Sequence, residues 1–336
     1  MQQAYRWKSN DLCNNAPKTA KHIPVISYKT SEDQEKVIND ILERLLETVP
    51  NFDRKAFAAV EWALNEITDN VLNHSESQIG GLIQFWSFDQ RKQKIEFTIC
   101  DAGIGVPNSL RALNPQLSDI DALMEAVKSG ITRNAKEFQG NGLYGTLEIC
   151  RAGGGKFSLN SGYGALLCQD GSVATKAEKI PFSGTCIDAH IDFSEPHLLE
   201  KALSINGKIH KPVDYIELKY EQDDLKNIIL KLSEQGYSFR SRIAGRPIKT
   251  KINNILQQCP GQIIHIDFFG IPVVSSSFAD EVFGKLFQEI GPISFMQTIK
   301  LQNTSPTIQA LIDRAIVQRM QNPFSRLEQG IAPTSD

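Results

Sequence analysis

ALNEITDNVLNHS, Ala63 to Ser75, places an acid, amides and an imidazole in an otherwise apolar run. On a helix, Glu66, Asn70 and Asn73 or His74 recur at i, i+4 and i+7 or i+8, so they share one face. That face is either the solvated side of an ordinary helix or an acid–amide pair turned toward a ligand. The helix is predicted to open at Asp53 and run through about Asn73. Before it, Val37, Ile38, Ile41, Leu42, Leu45 and Leu46 recur at helical spacing, after Ser31 and Gln34 in a capping-box pattern. HIPVISYK, His22 to Lys29, reads as a strand.

Two further stretches bear on the choice. In CDAGIGVP an apolar strand ends on Asp101, followed by Gly103 and Gly105. Glycines let the backbone turn sharply and approach a ligand, and a carboxylate at a strand end can accept from an exocyclic amine. In GNGLYG, Gly140, Gly142 and Gly145 lead into a helix, whose free N–H groups can face phosphate. The stretch is not a P-loop, lacking GxxxxGK[ST], nor does the βαβ unit of a dinucleotide fingerprint follow it. Each glycine stretch by itself marks no more than a turn.

The 336 residues suit about two domains at roughly 150 residues each. A net charge of −3, without clustered Lys and Arg, argues against direct nucleic-acid binding. No apolar run reaches the roughly 18 residues of a membrane span, and MQQAYRWKSN lacks a signal-peptide core. A cytosolic protein with no membrane attachment is the expectation. The six cysteines, Cys13, Cys100, Cys150, Cys168, Cys186 and Cys259, are scattered and read as buried free thiols. The six histidines suggest no zinc site.

Along the rest of the chain, GLIQFWSF and KIEFTICDAG read as paired strands. Residues 108–139 are polar and irregular, with one helical piece, SDIDALMEAVKSG. A helix over GLYGTLEICRAGG and strands over KFSLNSGYGALLCQ and GTCIDAHIDF complete a first domain, residues 1–193. A linker over 194–212, a second domain over 213–322 and a loose tail over 323–336 follow. The second domain alternates strands (YIELKY, IIHIDFFG) with helices (FADEVFGKLFQEI, SPTIQALIDRAIVQRM), an α/β pattern.

Taken together and in order, the three polar stretches resemble the GHKL ATPase family over roughly residues 25–193. Glu66-x-x-x-Asn70 is similar to its N box, Asp101-Ala-Gly103-Ile-Gly105 to its first glycine box, and Gly140-Asn-Gly142-Leu-Tyr-Gly145 to its second. Gly184-Thr185 is similar to its terminal Gly-Thr element. The resemblance implies an α/β sandwich, a mixed sheet with helices on one face, that binds ATP and Mg²⁺. It implies Asn70 as the Mg²⁺ ligand, Glu66 as the base for water or a hydroxyl, and Asp101 with Thr185 on the adenine. It also implies phosphate contacts by Gly140 and Gly142 and a lid over residues 108–139, within which Arg133 or Lys136 is either a γ-phosphate contact or surface charge. The form ExxxNxxxH, ending on His74, looks like the anti-sigma-factor serine kinase branch. No helix before Glu66 is suited to a phosphoacceptor histidine. Many GHKL domains dimerise, so a homodimer is a family-level expectation.

The C-terminal region resembles the STAS domain, the anti-anti-sigma partner of those kinases. Asp267-Phe-Phe-Gly270-Ile-Pro-Val-Val-Ser-Ser-Ser277 follows a pattern ending in a phosphorylated serine, with Ser275 in place of an Asp and Phe278 in place of a Gly. The resemblance makes Ser277, and Ser276 before it, candidate phosphoacceptors. The plainer reading of the same serines is a helix cap, with Ser277 as N-cap, and Asp280 and Glu281 would oppose added negative charge. The combined expectation is an Mg·ATP-binding, serine kinase-like switch whose STAS-like domain meets protein partners. A plain ATPase without a protein acceptor and a non-catalytic ATP sensor are the alternatives.

Overall fold

The computed structural model describes residues 23–89, 94–128, 142–194, 198, 202, 204–205, 208–209, 215–221, 227–237 and 239–321. The chain divides into two compact units, Met1–Arg44 with Asp53–Tyr215, and Leu45–Phe52 with Ile216–Asp336.

The first unit begins with β1 (Ile23–Tyr28), α1 (Ser31–Thr48), of which the residues from Leu45 count with the second unit, and α2 (Arg54–His74). The apolar positions expected on α1, from Val37 to Leu46, are all buried. The start of α1 differs from the Ser31/Gln34 expectation. Thr30 Oγ1 accepts from the Asp33 N–H at 3.1 Å, and Asp33 accepts from the Thr30 N–H at 3.2 Å, so the capping box lies one residue earlier. Gln34 instead donates to Thr68 and Asp69 on α2. Asp53 caps α2 as expected, accepting from Lys55 and Ala56.

β2 (Gly81–Asp89) and β3 (Lys94–Asp101) form a hairpin, followed by the short helices α3 (Gly105–Arg111) and α4 (Asp119–Ala126). Then come α5 (Gly142–Ala152), β4 (Lys156–Gln169) and β5 (Ser172–Asp192). The sheet order is β1-β2-β3-β5-β4. Every neighbouring pair is antiparallel, which corrects the expected mixed sheet. Two of the pairs are hairpins, and the helical pair α1–α2 between β1 and β2 returns the chain in the opposite direction. β3 and β4, which do run the same way, are separated by β5. Ile83, Phe85, Phe97 and Ile99 are buried on one face of the sheet, and Phe57, Leu64, Ile67 and Val71 are the buried face of α2. Two-residue strands β6 (Ser204–Ile205) and β7 (Lys208–Ile209) pair later in the chain.

YIELKY, expected as a strand, is the helix α6 (Tyr215–Tyr220). Tyr215, Ile216 and Tyr220 are buried, whereas Leu218, the residue an alternating strand would bury, is 74% exposed. The second unit continues with β8 (Asn227–Lys231), α7 (Arg242–Gln258) and β9 (Ile263–Asp267). Then come α8 (Ser276–Ala279), a π-helical turn (Asp280–Gly284), α9 (Lys285–Ile290), α10 (Pro292–Thr298), β10 (Ile299–Gln302) and α11 (Pro306–Gln321). The three strands are parallel in the order β10-β9-β8, and the helices between them supply the crossovers that parallel pairing needs. Ile228, Leu230, Ile264, Ile266, Phe278 and Phe283 are buried in its core.

Within this second unit, one face of α7 is polar and buried. Asn254 Nδ2 donates to the carbonyls of Leu46 (2.7 Å) and Val49 (2.6 Å), and its Oδ1 accepts from the Phe52 N–H at 3.2 Å. Gln258 donates to the Phe52 carbonyl at 2.7 Å. Lys251 pairs with Glu47 at 2.9 Å, and the Tyr237 hydroxyl donates to the same carboxylate at 2.5 Å.

Candidate functional site

In the first unit, α2, the end of β3, the start of α5 and the Gly184-Thr185 step of β5 supply the candidate residues. Glu66 and Asn70 are one turn apart and half-buried. Gly142, the first residue of α5, lies directly against them. A Cβ built there would stand 2.6 Å from Glu66 Oε2 and 3.2 Å from Asn70 Nδ2. A larger residue would push the carboxylate and amide aside. Burial, then the charge of Asp69, lifts the Glu66 carboxyl from 4.5 to about 7. Half-buried and packed against Gly142, Glu66 faces α5 rather than open solvent alone.

Asp101 is buried where β3 ends, and burial raises its pKa. Hydrogen bonds from the Gly103 N–H (2.8 Å) and from the backbone and hydroxyl of Thr185 partly offset that rise. The surrounding turn is tight. A Cβ at Gly103 would stand 1.9 Å from the Ser75 carbonyl, and one at Gly184 would stand 2.2 Å from the Asp101 carbonyl. Gly105 and Gly184 also adopt φ values of +77° and +93°, which glycine tolerates best. Ser161 ties the turn to β5, with its Oγ donating to the Gly184 carbonyl at 2.6 Å and accepting from the Val106 N–H at 3.0 Å. Sequence reading did not single out Ser161, and nothing in its local strand pattern marks it.

These contacts set Glu66, Asn70 and Gly142 side by side, and Asp101, Gly103, Gly105 and Thr185 in a second tight group. Gly145 is buried inside α5. His74 is half-buried at the end of α2. Gly140, Arg133 and Lys136 lie outside the described residues. Of the segment expected as a lid, residues 108–128 hold the end of α3 and all of α4, where Asp119 accepts from the Tyr163 N–H at 2.6 Å and pairs with Arg111. Among the described residues no three His, Cys, Asp or Glu side chains cluster to hold a metal. A cation at Asn70 would thus need oxygens from a bound polyphosphate and water, which suits Mg²⁺.

The serine joint lies in the second unit. Ser275, not Ser277, is the N-cap of α8, its Oγ accepting from the Phe278 N–H at 3.0 Å. The Ser277 hydroxyl is 3.0 Å from Ser275 Oγ, and Ser276 is exposed. Sequence spacing alone could not choose among three adjacent caps. The expected opposition of Asp280 and Glu281 is also corrected. Asp280 is paired with Arg319 (2.7 Å) and Arg242 (3.0 Å), which hold its carboxyl below the usual range. Glu281, buried, pairs with Lys285 (2.5 Å) and stands near Arg242 (3.7 Å) and Arg246 (3.8 Å). Two carboxylates thus meet four cations, and the surplus is positive.

Residues 244–309 match a family described as a STAS-like domain of unknown function (DUF4325). The match lies wholly in the second unit and takes in α7 from Ala244 onward, the serine joint and the π turn. A STAS-like domain suggests protein interaction and a regulatory or partner-switching role. No curated protein matches the chain. Among the described residues no helix is long and apolar enough to cross a membrane.

Proposed function

We propose that this chain is a cytosolic Mg·ATP-binding regulatory switch of the serine kinase-like kind, with the STAS-like unit as its output to a protein partner. One juxtaposition supports this above the rest: Glu66, with its pKa lifted to about 7, stands beside Asn70 and against the first residue of α5. A carboxyl poised near neutral pH is matched to proton removal from water or a hydroxyl. Asp101, steadied by Thr185 and Gly103, would accept from the amine of adenine. The Asn70 side-chain oxygen would ligate Mg²⁺, and the free N–H groups at the start of α5 would meet phosphate. Mg²⁺, when bound, neutralises charge on the phosphate oxygens. Gly140 and a homodimer belong to the same reading.

The acceptor is either a serine or water. Ser276 is the more accessible candidate, and the cations around Asp280 and Glu281 favour added phosphate at the start of α8. Purified protein with Mg²⁺ and γ-labelled ATP is expected to retain label on the chain. Ser276→Ala or Ser277→Ala should abolish it, and Glu66→Ala should abolish it while preserving ATP binding. Ser275→Ala is expected to lower stability by about 1 kcal/mol through the lost cap and to leave labelling in place. Label released solely as free phosphate, indifferent to the serines, would make the protein a plain ATPase switch. Loss of ATP binding in Glu66→Ala would refute the assignment of Glu66 as base.

A further inference from the structure

Tyr28 takes part in none of the roles above, yet its side chain reaches the same place as Asp101. In the sheet, Tyr28 pairs with Gly81, and Gly81 pairs with Asp101. Residues paired directly across antiparallel strands project from the same face. The middle position of this row has no side chain. A Cβ at Gly81 would stand 2.3 Å from Tyr28 Cζ and 2.4 Å from its hydroxyl, so the end of the ring lies over Gly81, directed along the row toward Asp101. Tyr28 is 1% exposed, and its hydroxyl has no hydrogen-bond partner among the described residues. Burial, followed by the nearby charge of Asp101, pushes that hydroxyl well above the usual phenol range, so it remains an O–H donor.

A buried hydroxyl without a partner costs stability, so its retention calls for a partner that arrives later. Asp101 offers an acceptor, and Tyr28 offers a donor beside it. An acceptor next to a donor complements the edge of adenine, whose N6 amine donates and whose N1 accepts. Guanine presents the reverse, an O6 acceptor and an N1–H donor. We propose that Tyr28 is a specificity-determining residue for the nucleotide base, donating to N1 of adenine directly or through one water while Asp101 accepts from N6. This rests on the ATP-binding reading of the first unit.

The test is equilibrium binding of ATP, 1-deaza-ATP (N1 replaced by C–H) and GTP to wild type and Tyr28→Phe, with Mg²⁺, together with thermal unfolding of the ligand-free proteins. Wild type is expected to bind ATP about 10-fold more tightly than 1-deaza-ATP, and GTP more weakly still. Tyr28→Phe is expected to bind ATP about 10-fold more weakly and to lose the preference over 1-deaza-ATP. Its ligand-free unfolding midpoint should equal or exceed that of wild type, because the unpaired hydroxyl is gone. Should wild type bind none of the nucleotides, the nucleotide reading falls, and Tyr28 falls with it. Should wild type bind ATP while Tyr28→Phe keeps both affinity and preference, the Tyr28 assignment alone is overturned. A lowered midpoint with the preference intact would likewise overturn it, as the hydroxyl would then serve the fold.

Discussion

Glu66→Gln is expected to lower ATP turnover about 10²- to 10⁴-fold while leaving ATP affinity within a few-fold of wild type. The amide keeps the shape of the side chain against Gly142 and Asn70 but cannot take a proton. Loss confined to turnover therefore separates proton removal from binding. Single-turnover hydrolysis beside equilibrium binding measures both. An affinity loss as large as the rate loss would make Glu66 a binding group. The wild-type pH profile carries the same information. With the Glu66 carboxyl lifted to about 7, kcat/KM should rise about tenfold per pH unit below that value and level off above it.

The same lift has a sign for stability. A carboxyl at about 7 in the folded chain, against 4.5 as its ordinary value, holds a proton between these pH values that the unfolded chain has released. Stability contributed by this group is therefore present at low pH and lost as pH rises from about 4.5 to about 7. Glu66→Gln removes the cost of ionising a buried carboxyl. After allowance for partial exposure, it should gain on the order of 2 kcal/mol at pH 8 and little at pH 4. Urea denaturation at the two pH values distinguishes that from a general effect of the substitution. A variant both less active and more stable at pH 8 is the combination expected of a strained functional group.

The local chemistry of this chain was legible and its non-local chemistry was not. The apolar spacing from Val37 to Leu46 and the Asp53 cap are local, and both α1 and α2 formed where that spacing placed them. Thr30 displaced Ser31 as cap, and Ser275 displaced Ser277, because adjacent hydroxyls offer the same chemistry and backbone φ/ψ decides among them. YIELKY misled because six residues hold too few periods to separate a helix from a strand. The mixed sheet failed because strand direction depends on pairings far apart in the chain. Tyr28 and Asp101 meet through Gly81, and the cations on Asp280 and Glu281 arrive from Arg242, Arg246 and Arg319. Distances in sequence of tens of residues leave no pattern in any window short enough to read.

Asn254→Ala should cost about 3 kcal/mol of stability in the second unit, as one of the largest effects of a single non-catalytic substitution. On α7, Lys251, Asn254 and Gln258 recur at helical spacing, a stripe that in isolation looks like a solvated face. All three are buried instead. Asn254 fills the hydrogen-bonding needs of Leu46, Val49 and Phe52 at once, with two donors and one acceptor. An amide is the one side-chain head group that offers both at that size; Asp would set a carboxylate against two carbonyls, and Leu would fill the volume and satisfy nothing. The series Asn254→Ala, Asn254→Leu and Asn254→Asp, followed by urea denaturation, separates the contributions. Leu close to Ala identifies the unpaired backbone groups as the source of the loss, whereas Leu close to wild type identifies the cavity. Asp should be the least stable at neutral pH and should recover as pH falls, since its protonated form regains one donor toward the carbonyls that the ionised form repels.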